Sequence, residues 1–222
     1  MARLGRIIAP GFPHHVTQRG NRRMQTFFAD EDYQQYISLM AEWCGRFHVE
    51  VWAYCLMPNH AHLVLVPANE EGLHRAVSEV HRRYTRHVNF REGWRGHLWQ
   101  GRFASYVMDE RHLLSAVRYI ELNPVRAGLA ERPEAYPWSS ARAHMSGQDD
   151  GLVTVEPMLN MVDDWAAYLA LDTDDAELSA LRSHERTGRP LGDADFIQNL
   201  EQRLGRLLRK RKPGPKGPRK TN

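Results

Sequence analysis

The chain has 222 residues and a net charge of +3, long enough to bury a core as one domain with an appendage. No window approaches the roughly 18 uninterrupted apolar residues of a membrane helix, and "MARLGRIIAPGF" lacks the apolar stretch of a secretory signal, so a cytoplasmic protein with no membrane partner is expected. Cys44 and Cys55 match neither a zinc ribbon nor a disulfide scaffold and read as reduced core thiols.

In chain order, "HHVTQR" (14–19) alternates as a strand and "RGNRR" (19–23) follows as a loop. Asp30 caps a helix with Tyr33, Ile37, Met40, Ala41 and Cys44 at helical spacing. "VEVWAYCLM" (49–57) reads as a strand, Pro58-Asn59 as a tight turn, and "HAHLVLV" (60–66) as the strand returning beside it. A second helix runs over about 70–88, with Leu73, Val77, Val80 and Tyr84 on its apolar face. The segment 90–108 begins as a Gly-rich loop and ends as a fourth strand, after which Asp109 caps a helix reaching about Leu122. This order predicts an α+β fold: a ferredoxin-like split βαβ, with a four-stranded antiparallel sheet, helices on one face and a C-terminal helical extension.

Charge divides the rest. Residues 1–142 sum to +4, 143–181 to −9 and 182–222 to +8. The organisation expected is a domain over 1–145, an acidic linker or packed segment over 146–180, a basic amphipathic helix within 181–212 and a disordered basic tail over 213–222. The acidic segment is either plain solvated surface or a cover over a basic groove.

Residues i and i+2 of a strand share a face, so His60 and His62 present two imidazoles together while Ala61, Leu63 and Leu65 face the other way. Two imidazoles so placed can share a metal ion, but spacing alone favours an ordinary strand that happens to carry two histidines. On the helix beginning at Asp109, Tyr119 and Asn123 are four residues apart and share a face, and Pro124 places Asn123 at the helix C-terminus. A core tyrosine followed by a capping asparagine fits this spacing too.

"HHVTQRGNRR", "YCLMPNHAHLVLVP", "HLWQGRFASYVMDE" and "RYIELNPVRAGL" together resemble the HUH single-tyrosine transposases, in particular the REP-associated tyrosine transposases, over residues 5–145. The resemblance implies that His60 and His62 bind a divalent metal, Mg²⁺ or Mn²⁺, that Asn123 is the third ligand, and that Tyr119 is the nucleophile that attacks DNA. It further implies a nucleoid-associated enzyme whose partner is single-stranded or hairpin DNA of REP-like palindromes. Whether the protomer acts alone or as a homodimer exchanging its tyrosine helix stays open. A phenol of pKa about 10 is a poor nucleophile at neutral pH, which is why such chemistry needs a base or a metal nearby. Tyr106, Tyr84 and Tyr136 are rival nucleophiles, each with a structural role available and no amide four residues on.

Three basic patches could hold DNA: Arg19, Arg22 and Arg23 with Asn21; Arg91, Arg95 and Arg102 interleaved with Trp94, Trp99 and Phe103, at least one of Trp99 and Phe103 being expected in the core; and the tail from Arg203, including Arg209, Lys210, Arg211 and Lys212. A noncatalytic nucleic-acid-binding module and a metallohydrolase using bound water are the competing classes.

Overall fold

The structure, a computed structural model, describes residues 6–172 and 174–209. Its centre is a four-stranded sheet of order β2-β3-β1-β4, formed by β1 (His14–Arg19), β2 (Val49–Met57), β3 (His60–Pro67) and β4 (Ala104–Val107), with every neighbouring pair antiparallel. This is the predicted split βαβ order. A bulge between Val51 and Ala53 switches the parity of β2, so Val49 and Val51 share a face with Tyr54 and Leu56, and Ala53, Cys55 and Met57 take the other.

Helices α1 (Asp30–Arg46) and α2 (Gly72–Glu92) cover the first face, with Leu39, Met40, Trp43, Leu73, Val77, Val80 and Tyr84 buried against Val16, Leu63 and Leu65. Asp30 is the first residue of α1 rather than its cap. Asp32, wholly buried, accepts the backbone N–H groups of Phe28 and Ala29 that the helix start leaves free. Helix α2 continues to Glu92, beyond the predicted end, until Gly93 at φ +67° supplies the left-handed stop.

The second face is covered as well, by α3 (Glu110–Glu121) and the chain that follows it. The Asp109 carboxylate accepts the His112 N–H at 2.9 Å, the predicted cap, and Leu113, Ala116, Val117 and Ile120 form the buried stripe. Burial of each large aliphatic there contributes about 1.5–3 kcal/mol relative to exposure. After α3 come short helices α4 (Asn123–Arg126), α5 (Ala141–Ser146), α6 (Glu156–Leu159) and α7 (Trp165–Ala170). The acidic segment is packed rather than merely solvated: Leu152, Val153, Val155, Met158, Trp165 and Leu169 are buried, and Asp150 accepts the Tyr54 hydroxyl at 2.6 Å.

Two elements complete the molecule. Helix α8 (Asp175–Thr187) lies against β4, β1 and α3, and α9 (Ala194–Leu204) places Leu200 in a small core with Ile7, Ala9 and Val107. The wholly buried Glu121 at the end of α3 ties the second layer together. Its carboxylate accepts Ser140 Oγ at 2.6 Å and Trp165 Nε1 at 2.9 Å, and lies 2.6 Å from His144 Nδ1.

Candidate active site

The register of β1 against β3 sets Thr17 opposite His62 and Arg19 opposite His60, so these four side chains stand together on the face that α3 covers. The His60 and His62 rings are 4.9 Å apart, centroid to centroid, and nearly perpendicular. Each ring is held at Nδ1. For His60 the holder is Asn59, whose Oδ1 lies 2.6 Å from Nδ1 while its Nδ2 donates to the Arg23 carbonyl at 3.0 Å. That second bond fixes which way the amide faces, so its oxygen accepts, the proton sits on His60 Nδ1, and the Nε2 lone pair is left free.

For His62 the holder is His15, with Nε2 at 3.0 Å from His62 Nδ1, and His15 Nδ1 lies 2.7 Å from the Tyr106 hydroxyl. The protons of this buried chain can run in either direction, and only the direction in which His62 Nδ1 donates frees its Nε2. That Nε2 is buried and has no partner among the described residues. Burial holds the His60 imidazole down at about 4, helped by the Arg19 charge, and holds His62 well below the usual histidine range, helped by His15, His60 and Arg19. Two neutral imidazoles with free Nε2 lone pairs are a donor pair that fits a divalent cation. Among the described residues no third His, Cys, Asp or Glu joins them in a metal-sized group, so further donors would be an amide oxygen, water or substrate.

Tyr119 reaches this pair from α3. Its ring lies 5.7 Å from that of His62 at 90°, half-buried, with the Arg126 guanidinium 5.3 Å above it and Arg126 Nη1 donating to the Tyr119 carbonyl at 3.2 Å. The rival tyrosines are buried with their hydroxyls engaged: Tyr84 donates to the Thr26 carbonyl at 2.7 Å, Tyr136 to the Leu56 carbonyl at 2.8 Å, and Tyr106 bonds His15. Asn123 does not end α3. It opens α4 immediately before Pro124, half-buried, and its amide nitrogen is buried without a partner among the described residues.

A family of sequences described as IS200-like transposases matches residues 11–123, half of the chain, from the approach to β1 through Tyr119 to Asn123. The chain belongs to this family. A Haemophilus influenzae protein provisionally named a REP-associated tyrosine transposase is 26% identical over 121 residues, which is 49% of this chain and 69% of that protein. A solved structure of a REP-associated tyrosine transposase bound to a REP hairpin shares the fold, with a TM-score of 0.57 at 20% identity, covering 69% of this chain and 92% of that one.

Around the transposase site the predicted DNA-binding residues separate. Arg19, half-buried, and Asn21, Arg22 and Arg23, exposed, flank the histidine pair. Gly20 makes this approach: a Cβ there would lie 2.2 Å from the Met24 carbonyl, and its N–H donates to the Asn59 carbonyl at 2.8 Å. Arg22 and Arg23 take left-handed backbone angles, φ +54° and +63°, which for such side chains cost roughly 1–2 kcal/mol each. Arg95 lines a separate cleft of about 210 Å³ with Asn21 and Trp94, and Trp94 is exposed whereas Trp99 and Phe103 are both in the core. Arg102 is exposed near β4.

Two cations expected at DNA are committed elsewhere. Arg91, on the last turn of α2 instead of a loop, forks both nitrogens onto the buried Asp32, because a carboxylate taken out of water needs a partner. Arg209 folds back to Glu201 of α9 at 3.4 Å. Lys210, Arg211 and Lys212 lie outside the described residues. The sequence singled out neither His15 nor Asn59, and Tyr106 only as a rival nucleophile; the alternation of "HHVTQR" did put His15, Thr17 and Arg19 on one face, but only the strand register sets that face against His62.

Proposed function

We propose that this chain cuts and rejoins single-stranded DNA, with Tyr119 as nucleophile and REP-type hairpins as substrate. The observation that carries the reading is the half-buried phenol standing edge-on to His62, an imidazole whose Nε2 is buried without a partner among the described residues. A divalent cation, Mg²⁺ or Mn²⁺, held by His60 and His62 with Asn123 as third donor, would polarise a non-bridging phosphate oxygen and screen its charge.

The chain's own residues do the rest. Arg19, Arg22 and Arg23 draw the phosphodiester backbone to the turn beside His60. Arg126, its guanidinium 5.3 Å above the Tyr119 ring and its Nη1 donating to the Tyr119 carbonyl, braces the ring against His62. Attack forms a bond from Tyr119 Oη to phosphorus and breaks the bond to the 3′ oxygen, which leaves as a 3′-OH after gaining a proton, while the phenolic proton passes to solvent. One phosphodiester replaces another, so a 3′-OH can later reverse the step without ATP. The solved relative bound to a REP hairpin supports the choice of substrate.

The test is incubation with end-labelled hairpin oligonucleotides and Mn²⁺, followed by a denaturing gel. A covalent protein–DNA adduct that vanishes in Tyr119→Phe is expected. Cutting without an adduct would favour a metallohydrolase, and binding without cutting a noncatalytic module; either result overturns the reading.

A further inference from the structure

Helix α8 lies beyond residue 123, where the family match stops, yet it packs onto β1 and β4 beside the histidine pair. Between them runs a groove of about 750 Å³ whose charged lining is Arg19, Arg23, Arg102, Arg182, Glu185 and Arg186. None of these five guanidinium groups makes a hydrogen bond or ion pair within the protein, among the described residues. Elsewhere on the surface arginines find carboxylates, as Arg46 does with Glu42 and Arg75 with Glu71. Five unneutralised cations along one channel repel one another, a cost a fold keeps only where an anion relieves it. Among the described residues Glu185 is the sole acid in the lining, and it accepts the Thr17 hydroxyl at 3.0 Å, fixing α8 to β1 at the position opposite His62. The lining includes Arg19, the cross-strand neighbour of His60.

The geometry points to α8 as one wall of a binding channel for the phosphodiester backbone of single-stranded DNA, with Arg182 and Arg186 contacting phosphates of the strand that enters or leaves the site. A single strand is the occupant because the lining includes Arg19, the cross-strand neighbour of His60, and the phenol beside His62 is half-buried, so a phosphate on an intact duplex would not reach it. This inference rests on the proposed function for the direction of the strand, but its binding measurement does not depend on cleavage.

Both arginines are exposed on a helix where alanine is well tolerated, so Arg182→Ala/Arg186→Ala should fold, which a thermal melt checks. Binding of a fluorescein-labelled mixed-sequence oligonucleotide is measured by anisotropy across a salt series, in a Tyr119→Phe background so that no strand is cut. Each lost phosphate contact should reduce the slope of log K against log salt by about 0.7, or about 1.4 for the pair, and weaken binding roughly 25-fold near 0.1 M salt. Arg46→Ala/Arg75→Ala, with the same change in net charge on the opposite face, should leave the slope unchanged. A slope and affinity equal to the parent's, or an equal loss in the opposite-face control, would overturn the inference, as would an identical loss with blunt duplex. The adduct assay on the Tyr119 protein reports separately: slopes that fall as expected without any adduct would remove the proposed function and leave the channel.

Discussion

Replacing His15 tests whether the buried chain behind His62 prepares it for a metal. His15 is 1% exposed and joins His62 Nδ1 at 3.0 Å to the Tyr106 hydroxyl at 2.7 Å, so His15→Ala orphans two buried polar atoms. Each orphan costs about 1–3 kcal/mol, and the vacated ring volume adds to that, so His15→Ala should lose about 3–6 kcal/mol of stability. His15→Gln keeps a polar group near both partners and should remain folded. Without the imidazole, nothing holds the His62 proton on Nδ1 or its ring in place, and loss of such a partner typically weakens metal binding 10–100-fold, about 1.4–2.7 kcal/mol. Titration with Mn²⁺ followed by electron paramagnetic resonance of the free ion reads this directly, with the melting temperature as control. A folded His15→Gln protein whose Mn²⁺ affinity stays within twofold of the parent would refute the reasoning.

Other consequences follow from the same side chains. Burial holds His14 at about 4 and His81 at about 3, both away from the histidine pair, so below the unfolded value of 6.5 the unfolded chain takes up protons that the native state refuses. Stability should therefore be unaffected by these groups above neutral pH and fall by about 2 kcal/mol for each of them, about 4 in total, between pH 7 and 5, as urea titrations at the two values would measure. Arg91→Ala should destabilise by about 2–4 kcal/mol through the stranded Asp32 carboxylate while leaving single-strand DNA affinity unchanged; a loss of affinity in the folded variant would restore Arg91 to the DNA surface. Glu121→Ala, which strands Ser140, His144 and Trp165, should free the segment around Trp165 to limited proteolysis at protease levels the parent resists.

Strand and helix periodicities read the sheet and its first three helices closely because each element carries its own signal, from the Asp109 cap to the alternation of 60–66. Helix α8 escaped although Asp174, whose side chain accepts the Ala176 N–H, and Gly188 mark both ends, because the change of charge sign near residue 181 divides it into an acidic half and a basic half. The histidine pair and Tyr119 were visible as residues, but their convergence depends on α3 crossing the same face of the sheet, a long-range fact that no local pattern states. The Arg91–Asp32 pairing, 59 positions apart, is hidden for the same reason, and proximity to Trp94 in sequence suggested a DNA contact for a guanidinium that the fold turns onto Asp32.

The central claim is that the phenol of residue 119 becomes the phosphate carrier. Digesting the gel-isolated adduct with nuclease and trypsin and weighing the peptides measures this directly, since the peptide from Tyr119 to Arg126 contains no other tyrosine. The expected result is that peptide bearing a single 5′-linked nucleotide. A nucleotide on a peptide containing Tyr106 or Tyr168, or a cut strand with every tyrosine unmodified, would contradict the account.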